Sequence, residues 1–379
     1  MSRELTIRNA RIVTWDEEFL GTLHFVDGLI SSFARGGTAT AAEDWDGDYL
    51  LPGLVELHTD NLEKHLAPRP GVHWPAMPAV LAHDAQIVAA GITTVLDAIA
   101  LGDLRDGSTR TEQLRPMLGA LEHCEKNGLL RAEHLLHLRC ELSYARLIEL
   151  FQDLVGEPRL HLVSLMDHTP GQRQFVNLDK HREYYQGKHG LSHAEMDAFV
   201  IEQQENHLQH SAANRSAIVE MSRARRIPLA SHDDATPEHV AEAVAEGVVI
   251  SEFPTTLLAA RSARRHNLGV VMGAPNVVRN GSHSGNVSAL ELAQERLLDG
   301  LSSDYVPASL LHAAFLLTER ACWRLPQAVA AVSANPARLA GLDDRGEIAE
   351  GKRADLLRVH ADSQVVSVTA CWREGRRVL

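Results

Sequence analysis

Cysteine, lysine and long apolar runs are all scarce in this 379-residue sequence. Its four cysteines include no C-x-x-C pair, which excludes a disulfide framework, so we expect reduced and mostly buried thiols. No apolar run approaches the roughly 18 to 20 residues of a membrane helix, and the first residues lack the apolar stretch of a signal peptide. These absences predict a soluble, cytoplasmic protein with no membrane partner.

Basic residues are in deficit, with 37 Lys and Arg against 50 Asp and Glu and a net charge of −13. No basic cluster is longer than a pair of arginines, so we expect no extended basic surface that could bind a nucleic-acid backbone. We therefore exclude DNA and RNA as partners. Hydrophobic residues make up 45% of the chain, which is ordinary for a globular protein. An anionic ligand would need a local site that overcomes the overall negative charge.

Both ends of the chain have the pattern of short β-strands separated by turns. Residues 4–50 and residues 346–379 each contain such strands, but neither piece is large enough to form a core alone. We therefore predict one small β-sandwich built from both ends, with residues 1–52 and 345–379 as its two parts and residues 53–344 as a separate domain.

The middle of the chain alternates short apolar runs with helical stretches, which is typical of repeated βα units and a parallel sheet. Eight such runs spread over roughly 250 residues favour a closed (β/α)8 TIM barrel, in which catalytic groups lie at the carboxyl ends of the strands. Residues 169–226 form the longest connection and predict a helical insertion over the barrel mouth. The candidate strands are 54–60, 92–98, 134–141, 160–168, 227–232, 247–252, 269–274 and 300–304.

Histidine and carboxylate side chains stand at five of these strand ends. Alone, each is most simply a cap or a hydrogen-bonded core residue, and together they could form only a polar network. Their joint position at one barrel mouth instead favours a metal site, since imidazole with carboxylate suits Zn, Mn or Fe rather than Ca or Mg alone. The candidate metal ligands are His58, Asp60, Glu141, His168, His232 and Asp304.

Several motifs resemble those of the amidohydrolase superfamily, whose members are metal-dependent hydrolases with a β/α barrel and a sandwich built from both chain ends. LPGLV at 51–55, before His58, is similar to the entry into their first strand. SANPAR at 333–338 and GKRADL at 351–356 are similar to the return into their sandwich. The resemblance implies a hydrolase with one or two divalent ions, for which zinc is the first expectation and Mn or Fe the alternatives.

A narrower resemblance extends across most of the barrel. It is to the family of hydrolases in the carbon-phosphorus lyase pathway of phosphonate catabolism, and it implies cleavage of α-D-ribose 1-methylphosphonate 5-triphosphate to the 5-phosphate and diphosphate by metal-bound hydroxide. The motifs are ELHTDNLEKH at 56–65, PRPGVHWP at 68–75, LAHDAQ at 81–86, RCE at 139–141, DHTPGQ at 167–172 and SHDD at 231–234.

The sequence departs from the wider superfamily at three points. The usual H-x-H of the first strand is His58-x-Asp60, and none of the five lysines ends an apolar run where a carbamylated bridging lysine would stand, so Glu141 is the natural replacement. The strand count also puts His168 and His232 on strands four and five, one strand earlier than usual, which would mean that a strand was missed or two were merged.

The resemblance assigns Asp304 to orienting the attacking hydroxide and carrying its proton, whereas a helix cap is the competing interpretation of this residue. Cations are needed on a triphosphate, because such transfer depends on positioning and charge stabilisation. The substrate-binding candidates are Arg69, Arg173, Arg279 and His283. The last two lie in a Gly/Ser/Asn-rich stretch at 276–286, which could instead be a plain loop, and each arginine could instead be a solvated surface residue.

Two other functions stay open. Hydrolysis of a C–N bond in a cyclic amide, a deaminase substrate or an N-acyl substrate would follow from the superfamily resemblance alone. A non-catalytic binding barrel would follow if the ligands were only a polar network. We expect a phosphorylated small molecule as the partner and a homodimer as the assembly.

Overall fold

The computed structural model describes residues 4–37, 41–69, 71–102, 109–173, 192–281, 285–363 and 365–379. Within these ranges the strands form two separate eight-stranded sheets. No helix in the described ranges is long and apolar enough to cross a membrane.

Both chain ends contribute to one mixed sheet, as the sequence predicted. Its middle strands pair the N-terminal Tyr49–Pro52 antiparallel with the C-terminal Leu356–Ala361. Trp45 stacks on Trp372 with ring centroids 5.5 Å apart in the core of this sheet, so each end covers apolar surface of the other. The strands are β1 (Glu4–Val13), β2 (Glu18–Val26), β3 (Leu29–Arg35), β4 (Glu43–Asp44), β5 (Tyr49–Pro52), β14 (Leu356–Ala361), β15 (Val366–Arg373) and β16 (Arg376–Arg377).

The second sheet is a nearly closed parallel barrel, and its eight strands lie where the eight apolar runs predicted them. Each strand pairs with the next along the chain, and the last returns to the first through a bridge between Thr59 and Asp304. Among the described residues no barrel strand was missed or merged, so His168 follows the fourth barrel strand and His232 ends the fifth. The strands are β6 (Leu54–Thr59), β7 (Ile92–Leu101), β8 (Glu133–Glu141), β9 (Leu160–Met166), β10 (Leu229–His232), β11 (Ile250–Glu252), β12 (Gly269–Gly273) and β13 (Gly300–Ser302).

Helices follow the barrel strands, and several start at the capping residues that the sequence supplies. The Thr236 and Thr256 hydroxyls each accept a hydrogen bond from the backbone N–H three residues further on, which satisfies an otherwise unpaired donor. The helices are Asn61–Leu66, Ala76–Ala89, Thr109–Lys126, Leu147–Leu154, His193–Asn206, Ala212–Ala224, Pro237–Ala245, Leu257–Arg265, Ala274–Val278, Ala289–Gln294, Ser309–Arg320, Leu325–Ala330 and Ala334–Leu339.

The described part of the insertion is a long helical segment. Helix His193–Asn206 begins with a capping box of Ser192 and Glu195 and continues through a π-helical turn at His207–Ser211 into the next helix. Nδ1 of His207 lies 2.7 Å from the carboxylate of Asp167 at the end of β9. The insertion therefore touches the barrel mouth, as predicted.

Apolar side chains fill the inside of the barrel, and a layer of polar side chains lies above them at the carboxyl end of the strands. Leu135, Ala230 and Ile250 belong to one buried cluster, which also includes residues of the helix Ala334–Leu339. Side chains two positions apart in a strand share a face, so the next inward residues are His137 on β8, His232 on β10 and Glu252 on β11. The alternation of these three strands thus sets histidine and carboxylate groups side by side on an apolar floor.

Candidate metal centre

The six ligand candidates from the sequence all lie at the carboxyl end of the barrel. They come from five separate parts of the chain and are brought together by the parallel order of the strands. His58 and Asp60 lie at the end of β6, Glu141 ends β8, His168 follows β9, His232 ends β10 and Asp304 follows β13.

One group of donors consists of His58, His232 and Glu252, whose potential ligand atoms lie within 4.8 Å of one another. Nδ1 of His58 is 3.1 Å from Oε1 of Glu252, and Nδ1 of His232 is 3.3 Å from Oε2. All three side chains are buried. Burial opposes the charge on Glu252, but the charge of His58 and the hydrogen bonds from His58 and His232 outweigh this effect and hold its pKa well below the usual value.

His137 supplies a further nitrogen directed at the same carboxylate. Its Nδ1–H donates to the carbonyl of Leu57 at 2.8 Å, which leaves Nε2 as the lone-pair nitrogen. Nε2 has no hydrogen-bond partner among the described residues and lies 3.9 Å from Oε2 of Glu252. Burial lowers the pKa of His137 to about 3, so the ring is neutral at physiological pH. A neutral buried imidazole with an unused lone pair is the form in which histidine binds metal.

A second group combines His168, His232 and Asp233, again with ligand atoms within 4.8 Å. Oδ2 of Asp233 is 3.9 Å from Nε2 of His168 and 3.6 Å from Nε2 of His232. His232 therefore faces Glu252 with one ring nitrogen and Asp233 with the other. Asp233 has a φ of 58°, a left-handed conformation that Asp tolerates better than most residues.

Glu141 is a hydrogen-bond partner of His168. Its Oε2 lies 2.6 Å from Nδ1 of His168, and its Oε1 accepts from the His168 backbone N–H and the Ser143 hydroxyl, both at 3.1 Å. A carboxylate on one ring nitrogen of a ligating histidine orients the ring and makes its other nitrogen a better ligand. Glu141 is therefore placed to orient the ring of His168.

Asp60 forms an ion pair with Arg139, a half-buried cation that the sequence interpretation did not include among the site residues. Oδ1 of the same carboxylate lies 3.9 Å from Nε2 of His58. Burial disfavours the charged guanidinium, but the charge of Asp60 and of other nearby carboxylates raises the pKa of Arg139 above its ordinary value. The mouth thus contains a permanent positive charge among its acids.

Asp304 is fixed to the first barrel strand through its backbone. Its N–H donates to the carbonyl of His58 at 3.1 Å, and its carbonyl accepts from the Asp60 N–H at 2.9 Å and the Thr59 hydroxyl at 3.1 Å. Its φ is 54°. Burial raises the pKa of the Asp304 carboxyl, and the charge of Asp60 adds to this effect while His58 opposes it. The carboxylate also lines a cleft with Arg279 and Tyr305.

The four substrate-binding candidates have different positions. Arg173 is buried and pairs with Asp234 and with Glu242, the latter at 3.2 Å, so the expectation that it faces substrate does not fit the structure. Arg279 is exposed beside Asp304, as a phosphate contact would require. Arg69 is exposed in the loop after the first helix. His283 lies outside the described residues.

Glu252, His137 and Asp233 are candidate donors at the barrel mouth that sequence reasoning missed. Glu252 is the last residue of a correctly predicted strand, so the rule that selected His232 would also have found it. His137 could have been found from the period-two alternation of β8, because it shares a face with the inward Leu135. Asp233 stands directly beside a selected histidine.

A third buried group, His83, Asp97 and His134, lies apart from the mouth. Asp97 accepts from His83 Nε2 at 2.7 Å and from His134 Nδ1 at 2.8 Å. The remaining ring nitrogens face Asn61 at 2.9 Å and Asp84 at 3.4 Å. Since every ring nitrogen already has a polar partner, we interpret this group as a hydrogen-bond network.

The model of the Amidohydrolase family matches residues 85–378. The alpha-D-ribose 1-methylphosphonate 5-triphosphate diphosphatase of Escherichia coli strain K12 is 53% identical over 377 residues, which cover 99% of this chain and 100% of that protein.

Solved structures with low identity share the fold. N-isopropylammelide isopropylaminohydrolase from Burkholderia multivorans has a TM-score of 0.66 and 17% identity, covering 99% of this chain and 97% of that one. The 5-methylcytosine deaminase from Klebsiella pneumoniae has a TM-score of 0.64 and 16% identity, covering 99% and 98%. These two likenesses bear on the fold alone. The family model, which spans most of the sequence, and the relative that matches nearly all of it lead to one conclusion: this chain belongs to the amidohydrolase family.

Proposed function

We propose that the chain hydrolyses α-D-ribose 1-methylphosphonate 5-triphosphate to the 5-phosphate and diphosphate. The observation that carries this proposal is the 53% identity, over 99% of the chain, to the Escherichia coli protein of that name. Four of the six motifs that suggested the same substrate class, at 56–65, 139–141, 167–172 and 231–234, lie at the strand ends where the donors converge.

A divalent ion is the second part of the proposal, because amidohydrolases use divalent metals and the donors present here suit one. The buried His58, His232 and Glu252 offer two imidazoles and a carboxylate, and the unpartnered Nε2 of His137 points towards the same carboxylate. This donor set favours zinc, with Mn or Fe as alternatives. His168 and Asp233 would hold a second ion, and a neutral His232 would bind one of the two, so the proposal allows one or two ions.

The six residues named from the sequence as candidate ligands remain part of the proposal, five as ligands and Glu141 as a residue that orients one of them. His58, His168 and His232 would be nitrogen ligands. Glu141 would orient His168 through the 2.6 Å contact to Nδ1. Asp60, paired with Arg139, and Asp304 would be oxygen ligands on the side of the first and last strands. When bound, the metal would supply positive charge to phosphoryl oxygens and lower the pKa of a water to roughly 7.

Asp304 is the proposed proton carrier. In the reaction, the oxygen of water attacks the α phosphorus, the bond from that phosphorus to the bridging oxygen breaks, and diphosphate leaves. Asp304 would take the proton of the attacking water at its carboxylate and pass it to the leaving oxygen. The three hydrogen bonds of its backbone to β6 and Asp60 hold this residue in place.

Phosphorus NMR of the zinc- or manganese-loaded protein with the ribosyl methylphosphonate triphosphate tests the proposal. We expect resonances of inorganic diphosphate and of a 5-phosphate to appear together in equal amounts. If metal is bound and neither product forms, the proposal that this chain is a diphosphatase is wrong. The next substrates to test would then be cyclic amides and N-acyl compounds, as expected for C–N hydrolysis.

A further inference from the structure

A cleft opens beside Asp304 at the seam between the last and first barrel strands. The cleft is small and partly open to solvent. It is therefore suited to one part of a larger ligand. We refer to it as the Tyr305 cleft, and it is lined by Gly273, Pro275, Asn276, Arg279, Gly281, Asp304 and Tyr305.

Two cations from different parts of the chain meet at Tyr305. Nζ of Lys64 lies 2.5 Å from the Tyr305 carbonyl oxygen and 4.9 Å from the centre of its ring. Nη1 of Arg279 lies 3.5 Å from the hydroxyl of the same tyrosine. Lys64 comes from the helix after β6 and Arg279 from the end of the helix after β12. They thus approach the backbone and the hydroxyl end of one side chain.

Neither cation is neutralised within the part of the chain that the structure describes. No described carboxylate forms an ion pair with Lys64 or Arg279, whereas the mouth arginines 139 and 173 pair with Asp60 and Asp234. Asp304 and Asp60 act on Lys64 by charge alone, and both raise its pKa against the larger, lowering effect of partial burial. Two unneutralised cations beside a catalytic carboxylate, in a protein of net charge −13, favour an anionic ligand at this place.

The cleft also has an unused polar side chain. Asn276 is half-buried, and its Oδ1 has no hydrogen-bond partner among the described residues. Asn276 also lines the cleft, and its side-chain amide carries two N–H donors. Arg279, Asn276 and Tyr305 thus line the cleft with polar groups, and Lys64 contacts the carbonyl and the ring of Tyr305. Phosphate oxygens accept hydrogen bonds from such donors.

We infer that Lys64 and Arg279, on either end of Tyr305, form the subsite for the β and γ phosphates, which leave as diphosphate. This inference rests on the proposed function, because it takes the triphosphate as the substrate. Lys64 belongs to the motif after the first strand but was not among the predicted substrate contacts, and Tyr305 directly follows the proposed proton carrier. The cations would stabilise the charge that accumulates on the leaving oxygens, next to the group that delivers the proton.

The test measures binding of inorganic diphosphate by calorimetry to the metal-loaded protein and to Lys64→Met, Arg279→Met and the double variant. Each methionine keeps most of the side-chain bulk and removes the charge. We expect each single change to weaken diphosphate binding about tenfold, because a charge-assisted hydrogen bond is worth roughly 1.4 kcal/mol or more. Lys64→Arg should bind nearly as the unmutated protein does, and the salt dependence of binding should be smaller in the double variant.

Arg261→Met is the matched control, since this exposed arginine pairs with Glu295 on a neighbouring helix and lines no part of the cleft. Its diphosphate affinity should be unchanged. Hydrolysis of the ribosyl triphosphate, measured on the same preparations, separates this inference from the proposed function. If diphosphate binding depends on Lys64 and Arg279 but no hydrolysis occurs, the anion subsite stands and the proposed substrate is wrong. If hydrolysis occurs while the double variant keeps its diphosphate affinity and KM, the subsite inference is overturned.

Discussion

The backbone N–H of Asp304 donates a hydrogen bond to the carbonyl of His58 at 3.1 Å, joining the end of the last barrel strand to the end of the first. The same residue receives bonds from Asp60 and Thr59, so the seam of the barrel and the candidate metal centre share their residues. Asp304 holds a left-handed φ of 54° at this junction. Such conformations cost energy and persist where the surrounding structure enforces them, often at functional sites.

Replacement of Asp304 by asparagine should abolish most of the activity without disturbing the fold. The amide cannot accept the proton of water, and loss of a general base costs about a hundred- to ten-thousand-fold in rate. Asparagine tolerates a left-handed φ, so the backbone bonds to β6 should survive. The measurement is kcat for diphosphate release, together with the melting temperature.

An exposed aspartate provides the control for that change. Asp343→Asn alters the same chemical group outside the mouth and should leave kcat unchanged. Asp304→Ala should lose activity as well, and it should also lower the free energy of unfolding by about 1–2 kcal/mol, because alanine tolerates the left-handed conformation poorly. Retention of full activity by Asp304→Asn would remove this residue from the proton-transfer role.

Glu252→Gln should lower metal affinity. The variant keeps the shape of a fully buried side chain but removes the charge that faces His58 and His232. Changes even in groups behind the ligands cost about 10- to 100-fold in metal affinity, so removal of a direct ligand should cost at least as much. Metal content by mass spectrometry after dialysis is the first measurement. The second is the rise in melting temperature when metal is added to chelated protein, which should shrink in the variant.

Glu242→Gln is the companion variant, because this exposed carboxylate contacts Arg173 and Arg215 rather than the donor groups. It should retain the metal content of the unmutated protein. If Glu252→Gln also retained it, Glu252 would not be a ligand, and the second group around Asp233 would become the first candidate.

Arg173→Met should destabilise the protein strongly. Asp234 is fully buried and pairs with this guanidinium, so the substitution leaves a buried charge without its main partner. Breaking a buried pair in this way costs about 3–5 kcal/mol, whereas loss of the exposed Arg261–Glu295 pair should cost at most about 1 kcal/mol. Urea unfolding of both variants measures the difference. Should Arg173→Met instead unfold like the control and raise KM for the triphosphate, the arginine would be a substrate contact.

The network around His134 predicts that stability falls at alkaline pH. Burial lowers the pKa of this imidazole, but Asp97 and Asp84 outweigh that effect and raise it from 6.5 to about 9. The folded state then holds a proton that the unfolded chain releases, so the stabilisation is complete below pH 6.5 and is lost as the pH rises through 9. It amounts to at most about 3 kcal/mol.

The measurement is the free energy of unfolding between pH 6.5 and 9, compared with that of His134→Gln. The variant should start less stable and vary less with pH over this window. The other groups of the network are His83 and Arg131, which face Asp97 and Asp84. Parallel pH profiles for the two proteins would show that His134 does not hold the proton.

Strand positions were predictable here because buried parallel strands are apolar along their length and are separated by polar loops. Ligands selected as the terminal residues of those runs, such as His232, were brought to one mouth by the same rule. Glu252 was passed over although it ends a predicted strand. His137 lies inside its strand. There, only the alternation of β8 distinguishes a residue that faces the barrel interior from one that faces the surrounding helices.

The pairing of charges could not be predicted in this way. Arg173 and Arg279 both follow barrel strands in polar loops. Nothing near them in the sequence shows that one is paired with a carboxylate and the other is not. In the fold, Arg173 meets Asp234 across 61 positions of the chain, and Arg279 meets Tyr305 across 26. Whether an arginine is neutralised or available depends on which carboxylate folding brings beside it.

The sequence by itself determined the eight barrel strands, the joining of the chain ends into one sheet and the convergence of histidines and carboxylates at one mouth, because these follow from local patterns of hydrophobicity and from the parallel order of strands. Only the tertiary structure decided that Glu252 lies between His58 and His232, that Glu141 contacts His168, and that Lys64 and Arg279 meet at Tyr305. Those relationships are distances between distant parts of the chain, and they are set by the packing and closure of the barrel.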